Sequence, residues 1–207
     1  MALGGKRWRA PAAAWAIGLQ IALAAVAALP AGPAEAQVMR PAVRTGEDSF
    51  SVDELVENGH RFFGGVSRGL ALTVKEAGRR WGEPNGYILG QEGSGAFFGG
   101  LRYGEGTLHT RRGGRQRVFW QGPSIGFDVG GEGARTMMLV YNLRGPDGLR
   151  RRFVGVDGSA YVVGGFGMTA VVADDVVLVP IRSGVGARLG VNLGYLKFTD
   201  RPTWNPF

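Results

Sequence analysis

Cysteine is absent from the 207-residue chain, and histidine occurs only at His60 and His109. The first absence removes disulfides, thiolate metal ligands and cysteine nucleophiles together. The second leaves too few imidazoles for a multi-histidine metal centre, so neither a metal nor another cofactor is expected. Beyond residue 36, no apolar stretch nears the ~20 residues needed to span a bilayer as a helix without Arg, Asp or several glycines intervening. Acidic residues are in the minority, 17 against 24 Lys and Arg, for a net charge of +7.

What is present begins with a leader. Lys6, Arg7 and Arg9 precede an apolar run from Ala10 to about Leu29, Pro30 and Pro33 end it, and Ala34-Glu35-Ala36 follows. A basic start, an apolar centre and an A-x-A site are the pattern of a secretory signal peptide. Residues 1–36 are read so, cleaved after Ala36, with a retained anchor as the alternative. Removing them lowers the net charge to +5 and leaves 171 residues, enough for one domain with a core. The destination is the periplasm. A mildly basic exported protein suits anionic head groups or acidic glycans, and export argues against nucleic acid.

Residues 37–49 are patternless and read as a flexible lead to a single domain over 50–207. Ser51-Val52-Asp53-Glu54 fits a capping box, and apolar residues at helical spacing follow to Trp81, interrupted at Gly64-Gly65. One broken or two short helices therefore fill about 52–81. After the turn at Pro84-Asn85-Gly86 the pattern changes to short Val-, Ile-, Phe- and Tyr-rich runs between glycines, a strand signature. Strands are expected near 87–91, 96–101, 106–110, 117–121, 125–129, 136–141, 159–163, 168–173, 176–181, 186–193 and 195–198, with a helical turn at Leu149–Phe153. Of the 37 glycines, 33 lie beyond residue 36, several inside these runs. Interior glycines suit bends and close backbone approach in a small closed barrel. The fold class is mostly β, a small antiparallel β-barrel with an N-terminal helical segment.

Two motifs imitate enzyme signatures. Gly122-Pro123-Ser124-Ile125-Gly126 matches a nucleophile elbow, which needs a strand before it and a helix after it. Here another strand-like run follows, and both histidines lie upstream of Ser124, so a turn between strands is the better reading. Gly165-Phe166-Gly167-Met168-Thr169-Ala170 matches a dinucleotide fingerprint, which must open a helix, but valines continue as strand. It reads as a hairpin turn, and Asp174-Asp175 as another. Two arginine clusters remain: Arg111, Arg112 and Arg115 around Gly113-Gly114, and Arg150, Arg151 and Arg152. They are either solvated loops or guanidinium donors to anionic head groups. The terminal Phe207 invites comparison with outer-membrane barrels. Counting back by twos gives Asn205, Thr203, Arg201 and Thr199, a polar face, and Pro202 and Pro206 would break the ladder. The chain is at most peripheral to a membrane.

Several segments resemble the alphaproteobacterial envelope integrity protein A (EipA) family: Phe50-Ser51-Val52-Asp53-Glu54, His60-Arg61-Phe62-Phe63-Gly64, Pro84-Asn85-Gly86-Tyr87-Ile88-Leu89-Gly90, Trp120-Gln121-Gly122-Pro123-Ser124 and Thr203-Trp204-Asn205-Pro206-Phe207. The resemblance spans nearly all of 47–207 and implies a periplasmic small β-barrel needed for envelope integrity, with no known catalytic residues. A more distant order of segments is similar to the lipid-binding SYLF domain. They are Gly104-Glu105-Gly106-Thr107-Leu108, Trp120, Gly130-Gly131-Glu132, Met138-Leu139-Val140-Tyr141-Asn142, Asp157-Gly158-Ser159-Ala160 and Arg182-Ser183-Gly184-Val185-Gly186-Ala187. That likeness implies a lipid-related role and assigns no residue. The reading is a non-enzymatic envelope protein that binds an anionic lipid or glycolipid. The rival is a scaffold for envelope or division proteins without lipid. A lipid site should join an apolar cleft to nearby arginines, and a scaffold should expose an apolar patch.

Overall fold

The structure is a computed structural model that describes residues 46–65, 67–95, 101–123, 134–156, 160–183, 195–203 and 205. Two helices come first. Helix α1, Val52–Phe63, starts at Ser51, whose Oγ accepts the Glu54 N–H at 3.3 Å. It stops at Gly64, where φ is +83°, a left-handed value that favours glycine. Helix α2, Arg68–Trp81, starts at Ser67, whose Oγ accepts the Leu70 N–H at 3.2 Å. Each serine cap contributes about 1 kcal/mol. The interrupted helical segment expected over 52–81 is thus two capped helices.

Among the described residues ten strands follow: β1 Gly86–Gly95, β2 Leu101–Thr110, β3 Gly114–Pro123, β4 Ala134–Tyr141, β5 Arg152–Gly155, β6 Tyr161–Val163, β7 Phe166–Met168, β8 Val171–Ala173, β9 Val176–Ser183 and β10 Tyr195–Thr199. Every pairing is antiparallel. Eight strands close a ring in the order β4, β1, β2, β3, β10, β5, β8, β9, with β9 returning to β4 over Thr136–Tyr141. The expected antiparallel barrel is therefore closed.

Several boundaries differ from the sequence reading. The run 168–173 is not one strand. Met168 pairs with Ile181 and Val171 with Leu178, so β7 and β8 share one register against β9. The strand breaks because its other side changes partner, from β6 at β7 to β5 at β8. The turn at Leu149–Phe153 lies earlier, a 3-10 turn over Pro146–Leu149 with proline at its start. Phe153 is instead in strand β5, where its pairing with Leu196 carries its ring into the barrel core. The dinucleotide-like segment is the β6–β7 hairpin, turning on Gly164 and Gly165 at φ +57° and +85°, and Asp174-Asp175 is the β8–β9 turn. The runs expected at 125–129 and 186–193, and all but the last residue of 96–101, lie outside the described residues.

Alternation splits the buried residues into two cores. One fills the barrel: Ile88, Leu108, Val118, Trp120, Met138, Val140, Phe153, Leu178, Leu196 and Phe198 among others. The second lies outside it, where Leu55, Leu70, Val74, Ala77 and Trp81 of the helices cover Tyr87, Met137, Leu139, Val179 and Ile181. Helix α2 is pinned to the β6–β7 hairpin by Thr73 Oγ1, which donates to the Val163 carbonyl at 3.0 Å, and by Arg80 over the Tyr161 ring at 3.6 Å. The helices therefore cover the outside of β1, β4, β9 and β7, and no helix covers that of β2, β3, β10 and β5, where Phe119 and Gln121 of β3 are nonetheless buried.

Strand glycines make room for one indole. A Cβ on Gly104 would lie 2.2 Å from Trp120, and one on Gly90 would lie 2.7 Å from it and 2.2 Å from the Glu105 carbonyl. Neither position tolerates a side chain while Trp120 occupies the barrel centre.

Candidate functional site

The β2–β3 turn, the segment 142–151 and the β8–β9 turn gather at one end of the barrel, and both arginine clusters expected from the sequence come there. Four of the six arginines are neutralised. Arg111 pairs with Glu54 at 2.5 Å and lies over the Phe50 ring, and Arg112 pairs with Asp48 at 2.6 Å. Arg150 pairs with Asp147 and Asp200, and Arg151 with Asp174. Arg144 joins the same ring through Asp175 at 2.5 Å. A cleft of about 210 Å³ opens here between Asp48, Asn85, Arg111 and Arg144, but its charges are balanced. Such exposed pairs contribute ~0–1 kcal/mol each, and they cancel much of the attraction a bare cluster would exert.

Arg115 and Arg152 differ from the other four. Each is exposed, and neither has an ion-pair partner among the described residues. Both project from strands on the uncovered outer half of the barrel. On that face Arg152 is the register partner of Lys197. Like charges directly across a ladder are unfavourable. Lys197 reaches the Asn205 carbonyl at 3.3 Å. Arg117 on the same strand as Arg115 is neutralised by Glu105 at 2.7 Å, and Arg201, two residues beyond β10, is exposed. Beside Lys197, across its register partner Gln121, lies a mainly apolar cleft of about 100 Å³ walled by Tyr103, Phe119, Trp120, Pro202 and Thr203.

The opposite end of the barrel holds a buried ionic cluster. Glu92 Oε2 accepts from the Trp120 indole at 2.8 Å and from Arg182 Nη2 at 3.0 Å, while Arg102 Nη1 stands 3.5 Å from Oε1. Burial alone would raise the Glu92 pKa. The Arg182 and Arg102 charges, with the indole and Arg182 hydrogen bonds, outweigh it and hold the carboxyl below its ordinary range.

Neither histidine is placed for nucleophilic catalysis on the described residues. His60 Nε2 is 3.0 Å from the Ser67 carbonyl oxygen, joining the two helices. His109 is stacked flat on Tyr87, ring centroids 4.7 Å apart. Ser124 lies outside the described residues, directly after the end of β3. Among the described residues no three His, Asp or Glu side chains converge as metal ligands.

The family model of envelope integrity protein A, EipA, matches residues 48–207. The chain belongs to the EipA family. Among solved structures, a crystal structure from Brucella abortus, described as a beta-barrel-like, uncharacterized protein, is 58% identical. It aligns over 77% of this chain and 99% of its own with a TM-score of 0.74. None of the curated proteins matches the sequence.

For this EipA-family chain, sequence reasoning located basic residues but not the face they share. It missed Lys197 because an isolated lysine in a strand carries no motif. It missed Glu92, Arg102 and Arg182 because they are 10 and 80 residues apart and meet only through barrel closure. Alternation offered one signal: all three fall on the same parity as inward apolar residues of their own strands, Ile88, Leu108 and Leu178.

Proposed function

We propose that this chain supports the integrity of the cell envelope as a non-enzymatic periplasmic protein whose uncovered barrel face docks on anionic lipid. The observation that carries this reading is the like-charged pair Arg152–Lys197 beside the apolar cleft at Phe119 and Tyr103. A basic surface next to an apolar recess suits a head group with acyl chains. The SYLF likeness points the same way. Apart from the Glu92–Arg102–Arg182 cluster at one end, the barrel interior is apolar, and exposed arginines stand on its outer face, the reverse of a barrel that spans a bilayer, so the attachment is peripheral. Among the described residues no helix is long and apolar enough to cross a membrane.

Each basic residue near an anionic surface is worth ~1 kcal/mol at moderate salt. Three or four acting together give measurable, reversible attachment. The test is flotation of the mature protein with phosphatidylglycerol-containing vesicles at low and high salt. Binding is expected at low salt and should fall in a variant combining R115S, R152S and K197S. A variant combining R111S and R112S should retain more of it, because those charges are already paired. Equal flotation on neutral vesicles, or none on anionic ones, transfers the function to a protein scaffold, for which the exposed Leu72, Val154 and Val162 are the first contacts to examine.

A further inference from the structure

We infer that Gln121 reads the ester carbonyl of a diacyl glycerophospholipid whose phosphate lies on Lys197 and Arg152. The inference rests on the lipid reading of this barrel face and adds a contact that electrostatics alone does not require. Gln121 is 1% exposed, although it stands on the outer side of β3, where no helix covers the strand. Its Nε2 has no hydrogen-bond partner. A buried amide donor left unmade is unfavourable. The same residue walls the apolar cleft of about 100 Å³, together with Tyr103, Phe119, Pro202 and Thr203. An unmade donor and a cleft that can deliver an acceptor thus meet at one side chain. A neutral donor suits this position, since burying a charged one carries a larger desolvation cost.

Register sets the chemistry in a line across four strands. Tyr103 of β2 pairs with Gln121 of β3, Gln121 with Lys197 of β10, and Lys197 with Arg152 of β5. Neighbouring strands lie about 4.8 Å apart. In steps of that size the row passes from an aromatic ring to a neutral amide and then to two cations. A glycerophospholipid has the same order of groups: acyl chain, ester carbonyl, phosphate, with only the glycerol backbone between the last two. With the phosphate on Lys197 and Arg152, a carbonyl falls at Gln121 and the first methylenes fall at Tyr103 and Phe119.

Size limits how much of the lipid enters. The cleft is smaller than the roughly 150 Å³ cavity that encloses a benzene ring. It takes the carbonyl and the first few carbons, and the rest of the chain stays in the bilayer, as peripheral attachment requires. Pro202 and Thr203 belong to no strand, so a carbonyl that pushes this wall aside breaks no ladder bond. The terminal amide torsion of glutamine is broad and roughly two-fold, so Nε2 can turn toward the incoming oxygen.

The experiment compares vesicles of phosphatidylglycerol and phosphatidylcholine made with ester-linked chains and with ether-linked chains, at equal charge. Ether linkage removes the carbonyl and keeps the phosphate and the chains. At low salt the mature protein should bind ether-linked vesicles about fivefold more weakly, the size of one hydrogen bond. Gln121→Met, close in shape but without a donor, should bind both linkages alike and melt no lower than the wild type. Nitrogen-15 NMR supplies a direct readout. The Gln121 side-chain amide should shift with dihexanoyl phosphatidylglycerol kept below micelle formation, and stay in place with its dihexyl ether analogue. Equal binding of the two linkages by wild-type protein overturns the role of Gln121 and leaves the anionic-lipid reading standing, whereas no binding to either overturns both. A linkage preference that persists in Q121M belongs to the bilayer and also overturns the inference. If Q121M does not fold, the wild-type linkage comparison and the amide shift decide between them.

Discussion

The indole Nε1 of Trp120 donates to Glu92 Oε2 at 2.8 Å. The ring of Trp120 is packed in the apolar barrel core, while its one polar atom reaches the buried ionic cluster. A hydrogen bond to a buried carboxylate is worth about 1.5–3 kcal/mol. Trp120→Phe should therefore lose roughly that amount, together with some packing, while the barrel still closes. Urea denaturation at neutral pH measures it, and a loss under about 0.5 kcal/mol would show that the bond is not made in solution.

Room for that indole depends on glycine. Gly104→Ala places a Cβ 2.2 Å from the ring, and overpacking of this kind costs about 1–3 kcal/mol. Gly93→Ala, on the neighbouring strand with nothing within 4 Å of the added carbon, should be near neutral. Comparing the two unfolding midpoints tests the packing and controls for alanine itself.

Acid should lower the stability of the protein in two steps. Burial, and then the charge of Arg115, pushes the His109 pKa below its ordinary 6.5. The unfolded chain thus takes up protons at higher pH than the folded one, so His109 costs nothing above about 6.5 and stability declines as pH falls through that value. Glu92 is held below its ordinary 4.5, so its contribution is complete above 4.5 and is lost as pH falls further. Denaturation midpoints between pH 8 and 3 should show both declines. His109→Phe, which preserves an aromatic stack on Tyr87, should abolish the upper one alone. An upper decline that persists in H109F would assign it elsewhere.

Ser124→Ala should leave the biological function intact. Both histidines, His60 and His109, lie upstream of the serine, where the base of a nucleophile elbow is expected downstream. Complementation of a deletion strain decides it. Lost function in a protein with unchanged circular dichroism and melting would restore the hydrolase reading.

Processing is expected between Ala36 and Gln37, because Ala34 and Ala36 present small residues to the peptidase after the Pro30 break. Intact mass of the protein recovered from the periplasmic fraction gives the answer directly. A species that begins at Met1 and fractionates only with the inner membrane would make the leader an anchor.

Local chemistry was legible in the sequence. Ser51 and Gly64 set the ends of α1 through one cap and one left-handed residue. Alternating apolar residues separated by glycine identified most of the strands, because both signals act within a few residues. Less legible was the division at Thr169-Ala170, since nothing in Met168–Ala173 records that β6 and β5 take turns beside it.

By itself, therefore, the sequence determined the class of fold, the two helices and the absence of thiol chemistry, all consequences of composition and short-range pattern. Tertiary structure alone decided what the charges do. It set Arg111, Arg112, Arg150 and Arg151 against carboxylates from other segments. It aligned Arg152 with Lys197 across a ladder, and brought Glu92, Arg102 and Arg182 together in the barrel interior. Those outcomes follow from ring closure and register. The energy of a charge depends on its distance from other charges and from water, and neither distance is encoded in spacing along the chain.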